Sequence, residues 1–154
     1  MLQLRTLLIA SAMAATLSLA ACSAAMMGNT TAISAKLSSA NEVPVNGSAG
    51  TGMLDASFNK DTNELTWTVS YSGMTGPVAA GHFHGPAMAG ANAGVALGFS
   101  GSMDSPIKGS ATLTPAQAAD LLAGKWYVNL HTAANKGGEI RGQATVAPKS
   151  SMGY

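Results

Sequence analysis

Cys22 is the only cysteine in this chain, so no intramolecular disulfide can form. A fold that cannot be stapled must stand on its hydrophobic core or on bound metal. Charge is also scarce, at 10% of 154 residues, with eight Lys and Arg against seven Asp and Glu. There is no basic cluster, which argues against nucleic acid or anionic lipid as a partner. Aromatic residues make up 5% of the chain, too few and too scattered for a sugar-binding cluster. No serine lies in a Gly-x-Ser-x-Gly elbow, and the one thiol lies near the N-terminus, outside the expected domain, so nucleophilic catalysis finds no support. The reading is a protein that is not an enzyme.

A long hydrophobic run is missing too. The charge-free stretch 7–19 follows Arg5 and is too short to span a bilayer comfortably, which marks it as targeting sequence. It ends in Leu19-Ala20-Ala21-Cys22, which resembles a bacterial lipobox, with Cys22 as the lipidated residue. The alternative is an ordinary signal peptide followed by a free thiol. The expected layout is a signal peptide at 1–21, a tether at 22–31 beginning with lipidated Cys22, a domain at 32–147 and a frayed tail at 148–154. Cleavage removes Arg5 and leaves the mature chain with seven charges of each sign. By resemblance to Gram-negative lipoproteins, Ser23 after the lipidated position implies the outer membrane, facing the periplasm or the cell surface.

What the chain does have is β-pattern. Short runs rich in β-formers are separated by Gly, Pro, Asn and Asp, the signature of an all-β antiparallel sandwich of roughly seven to nine strands. Strands are expected at 32–37, 50–58, 65–71, 78–84, 95–99, 125–131 and 139–146. In 65–71, Leu65, Trp67, Val69 and Tyr71 share one face and Thr66, Thr68 and Ser70 the other. One helix is expected near 115–123. Thr114 is its N-cap, Pro115 its first residue, Gln117 the capping-box partner and Gly124 its terminator. Its role is to plug one end of the sandwich.

All three histidines fall in two of these strands. His82 and His84 are two residues apart, so an extended chain puts both on one side, opposite Phe83. The second strand sends Trp126, Val128 and Leu130 to one face and Tyr127, Asn129 and His131 to the other. If the strands are neighbours, the three imidazoles converge. Neutral imidazole suits copper and zinc, and metal binding requires all three rings within about 4–5 Å of one point. Glu139 or Met88 is a candidate fourth ligand, and Glu139 is equally a candidate to orient a histidine. The other methionines are scattered, without a Met-x-x-Met spacing. The competing reading is metal-free: a polar network of Asn129, Glu139, Arg141 and Glu42 satisfies the histidines, with Glu42 and Arg141 as an ion pair closing the first turn on the last strand.

Several motifs occur in fixed order: Asn41-Glu42-Val43-Pro44, His82-Phe83-His84-Gly85-Pro86, Leu113-Thr114 with Gln117 and Leu121, residues 127–133, and Gly138-Glu139-Ile140-Arg141-Gly142-Gln143. This series resembles the CHRD domain, the module repeated in chordin and found singly in bacterial secreted proteins. The resemblance covers roughly 32–146. One proline follows Val43 where two are usual, and Gly81 precedes the histidine pair where alanine is common. The resemblance implies an extracellular β-sandwich and little about chemistry. Together these readings give a lipid-anchored cell-envelope binding module, with copper or zinc at His82, His84 and His131. The alternative is a metal-free adhesion or protein-interaction module with an unknown protein partner. A superoxide-type redox enzyme ranks last because three histidines are a short ligand set.

Overall fold

The computed structural model describes residues 29–148. The leader, Cys22, most of the tether and the last six residues lie outside the described residues. Eight strands form one sheet: β1 (Thr30–Ser38), β2 (Thr51–Asn59), β3 (Glu64–Ser72), β4 (Val78–His84), β5 (Val95–Gly98), β6 (Ile107–Thr112), β7 (Trp126–Thr132) and β8 (Ile140–Val146). Among the described residues a single α-helix, α1 (Pro115–Leu122), precedes β7. The strand order is β5-β4-β7-β8-β1-β2-β3-β6, and every neighbouring pair is antiparallel.

The sheet curls until its two halves face each other. β4 and β3 stand second and seventh in the order. Yet Phe83 of β4 and Trp67 of β3 meet edge to face with ring centroids 5.5 Å apart. Phe99 stacks on Trp67 at 5.3 Å, and Trp126 lies 5.8 Å from Phe83. The expected all-β architecture holds, with the two layers of the sandwich supplied by one continuous sheet. The alternation expected in β3 is present: Leu65, Trp67 and Val69 are buried and Thr66, Thr68 and Ser70 are not. Burying a side chain such as Phe83 contributes about 1.5–3 kcal/mol, and each aromatic pair about 0.5–1.5 kcal/mol more.

The helix forms where its capping signals lie. Gln117 N–H donates to Thr114 Oγ1 at 3.3 Å, and Thr114 N–H donates to Gln117 Oε1 at 2.9 Å. Ala118 and Leu121 face the core, and Gln117 Nε2 donates to the Ala96 carbonyl, tying α1 to the edge strand β5.

Two differences from the sequence reading have clear causes. β6 was not expected, because Ile107 is its only buried residue and the run Lys108-Gly109-Ser110-Ala111-Thr112 carries no alternation. Its apolar cover comes from the partner strand. Trp67 lies over Gly109, where an added Cβ would be 2.4 Å from the indole, so glycine is the residue that fits. The face of β7 that carries Tyr127, Asn129 and His131 is polar as expected, yet every residue of the strand except His131 is buried. The loop 85–94 lies across that face and closes it.

Candidate metal centre

Pairing of β4 with β7 sets the histidines. The register places His82 opposite Asn129, His84 opposite Tyr127 and Ala80 opposite His131. Phe83 is fully buried in the core, so His82 and His84 point the other way, toward the face that the loop covers. His82 therefore stands between His84, two residues along its own strand, and His131, diagonal to it on β7.

The three rings converge. Among the described residues, one nitrogen from each of His82, His84 and His131 lies within 4.8 Å of the others. His82 Nδ1 and His131 Nε2 are 3.1 Å apart. Ring centroids are 4.9 Å apart for His82–His131, 5.4 Å for His82–His84 and 6.2 Å for His84–His131.

Backbone carbonyls fix two of the tautomers. His84 Nδ1 is 3.0 Å from the Ala93 carbonyl, and His131 Nδ1 is 2.9 Å from the Lys136 carbonyl. A carbonyl can only accept, so each Nδ1 carries the proton and each Nε2 is left with a lone pair. The His84 Nε2 is buried and has no hydrogen-bond partner. That orphaned acceptor is the kind of group that native interiors pair with protein, water or an ion. Burial holds all three imidazoles below the usual histidine range. At His82 the neighbouring His131 and His84 add to the effect, whereas carbonyl contacts pull back at His84 and His131. The rings are accordingly neutral at physiological pH, the state in which imidazole ligates metal.

The loop 85–94 is held down by side chains from the sheet below it. Gln143 Nε2 donates to the Ala87 carbonyl at 2.9 Å, Arg141 Nη1 to the Ala91 carbonyl at 3.1 Å and Arg141 Nη2 to Asn92 Oδ1 at 2.6 Å. Tyr127 accepts from Ala93 N–H through its hydroxyl at 3.2 Å. The Tyr127 ring stacks on His84, 4.9 Å away and 4° from parallel, with the Arg141 guanidinium 4.2 Å from its other face. Arg141, Tyr127 and His84 thus form one column.

The remaining predicted residues fall into two groups. Glu42, Asn129 and Arg141 come together: Arg141 Nη2 is 3.1 Å from Glu42 Oε2, and Asn129 Nδ2 donates to Glu42 Oε1 at 2.6 Å. Burial raises the Glu42 carboxyl above its ordinary value, against the pull of Arg141. Gly138, at φ 133°, closes this pocket, and a Cβ there would meet Asn129 Nδ2 at 2.3 Å. Glu139 is elsewhere. Its carboxylate takes hydrogen bonds from Ser48 Oγ at 2.6 Å, Thr75 N–H and Oγ1 at 2.7 Å, Asn135 Nδ2 at 3.1 Å and the Thr132 hydroxyl. Burial would push this carboxyl up, but the donors from Ser48, Thr132 and Thr75 outweigh it and bring the pKa to about 2. Glu139 does not join the histidine group, so it is neither a fourth ligand nor an orienting partner there. Met88 is exposed on the loop.

The sequence reading did not single out Tyr127, Asn92, or the Ala93 and Lys136 carbonyls as parts of this site. Tyr127 was findable, since it shares strand parity with Asn129 and His131. Loop carbonyls carry no side-chain signal. Comparison with curated proteins and with solved structures gives no match. The CHRD domain family model matches residues 33–144, which takes in every side chain of the site just described, and the chain belongs to the CHRD domain family.

Proposed function

We propose that this CHRD protein is a binding module of the cell envelope that holds one copper or zinc ion through His82, His84 and His131. The observation that carries the reading is that one ring nitrogen from each of the three histidines lies within 4.8 Å of the others, in a group where two rings have Nδ1 fixed on a carbonyl. Resident metal sites use this device, in which the outer N–H is anchored so that the inner lone pair is aimed. The orphaned His84 Nε2 gives the same direction. Glu42 and Arg141 act at one remove, holding the loop whose Ala93 carbonyl orients His84. Attachment to the outer membrane through lipid on Cys22 completes the proposal and rests on the lipobox-like Leu19-Ala20-Ala21-Cys22. The module carries out no catalysis in this reading.

A second reading has its own observation. The 3.1 Å contact of His82 Nδ1 with His131 Nε2 is a good N–H···N hydrogen bond, so two of the rings can be satisfied without an ion. The domain would then be a metal-free adhesion or interaction module. Metal analysis of the purified full chain separates the two. In a Cys22→Ser background, which removes the competing thiol, the metal-binding reading expects one equivalent of copper or zinc. His82→Ala and His131→Ala should each lose most of it. Equal metal content in all three proteins would leave the interaction module as the function.

A further inference from the structure

Resting on the metal-binding reading, we infer that the ion keeps an exchangeable fourth position, in which Asn129 Oδ1 positions a bound water. The same acceptor favours small ligands that carry a proton over anions that carry none. Three protein nitrogens leave an ion of either metal short of a full shell, and water is the usual fourth partner. Among the described residues no carboxylate or thiol joins His82, His84 and His131. The three rings are half-buried rather than closed off, so solvent reaches them.

Asn129 supplies what such a water needs. It is directly opposite His82 across the β4–β7 ladder and two residues from His131 on the same face of β7. Side chains opposed in this way have Cβ atoms about 4.5–5.5 Å apart. Asn129 is 1% exposed, yet its Oδ1 makes no hydrogen bond. The amide cannot turn over to satisfy that oxygen. Nδ2 donates to Glu42 Oε1 at 2.6 Å, and this carboxylate, paired with Arg141, can only accept. Gly138, just before β8, packs against the same nitrogen, where a Cβ would come within 2.3 Å. The two arms of an amide diverge. With Nδ2 held toward β8, Oδ1 is left to the β4 side, where His82 stands.

The other buried acceptor without a partner on this face is His84 Nε2. The two differ in what they call for. The imidazole nitrogen suits copper or zinc, whereas an amide oxygen is a harder donor, of the kind that calcium and magnesium take. A water between the ion and Oδ1 satisfies both, with its oxygen on the metal and a proton on the amide.

The experiment uses the full chain carrying Cys22→Ser and loaded with Cu(II), whose effect on solvent-proton relaxation counts the water bound to the ion. One exchangeable water is expected. Azide, an anion without a proton, displaces it and is titrated through its charge-transfer absorption. Asn129→Leu should bind azide about five- to tenfold more tightly, because the displaced water no longer has an acceptor to lose. Glu139→Gln is the control: it weakens the fold away from the histidines, and its azide affinity should match that of the parent chain. Copper content and thermal melts report whether site and sheet are intact in each variant. A parent chain that holds one copper without an exchangeable water would overturn the open position and leave the metal-binding reading standing. Equal azide affinity in Asn129→Leu, or an equal rise in Glu139→Gln, would overturn the part given to Asn129. A chain that takes up no copper or zinc would overturn the metal-binding reading and this inference with it.

Discussion

Residues 131 and 132 are neighbours on β7 and serve opposite ends. The Thr132 hydroxyl turns toward the Glu139 carboxylate, where Ser48, Thr75 and Asn135 also donate. His131 turns to the other face and meets His82, near a His84 nitrogen that has no partner at all. The first region is a buried charge with donors in excess and no cation among them. The second is a group of neutral acceptors with too few donors. A polar cluster with every valence filled locks segments together, whereas one with lone pairs left over can take a ligand. The hairpin β7–β8 carries one of each.

The comparison makes stability a property of the carboxylates and binding a property of the histidines, and variants can break it. The largest effect is expected at Arg141, which is buried beside Glu42. Arg141→Met leaves that carboxylate unpaired in the interior and should destabilise the protein by about 3–5 kcal/mol in denaturant unfolding. A much smaller loss would mean that Asn129 and protonation of Glu42 suffice to keep the pocket closed.

Glu139→Gln comes next. It exchanges charge-assisted hydrogen bonds for neutral ones and should cost about 2–3 kcal/mol. The wild-type carboxyl has a folded pKa of about 2, below its ordinary 4.5. Its contribution is therefore full above about pH 4.5 and is lost as pH falls toward 2. Wild-type stability should fall through that window and the variant's should fall less. Parallel acid curves would show that the Glu139 carboxylate does not lock the segments around it.

His82→Ala is expected to cost only about 1 kcal/mol, the worth of one hydrogen bond, while abolishing tight metal binding by titration. If its cost matched that of Glu139→Gln, the histidines would belong with the structural cluster and the contrast would collapse. The smallest effect is placed at Tyr127→Phe. It keeps the ring on His84 but drops the hydroxyl that receives Ala93 N–H, for about 0.5–1.5 kcal/mol. Metal affinity should weaken in parallel, because the Ala93 carbonyl that orients His84 loses part of its support.

Much of this was readable before any coordinates. Alternation located β3 and β4, and the capping residues around Pro115 located α1, because both signals are local. Parity alone put His82 and His84 opposite Phe83 and His131 opposite Leu130. What escaped was non-local. β6 takes its apolar cover from Trp67 on another strand, so its own sequence reads as loop. Glu139 was expected beside the histidines by alternation, but it precedes the first residue of β8, where strand parity no longer binds it, and three hydroxyls draw its carboxylate elsewhere. The loop 85–94 reads as a Gly- and Ala-rich connection. Apart from Asn92, its contribution is made by backbone groups, which every sequence possesses.

The strand order has a consequence for how the molecule is made. β1 and β8 are neighbours at the centre of the sheet, with Ile33 paired to Val146. Such pairing has high contact order and closes late, because the loop between the partners is nearly the whole domain. The site spans the same distance, from Glu42 through the loop 85–94 to Arg141. A chain stopped before β8 contains all three histidines but lacks Arg141 and Gln143, the side chains that hold the loop over them. Under the proposed function, the seat for the ion is therefore complete only when the last strand has entered the sheet.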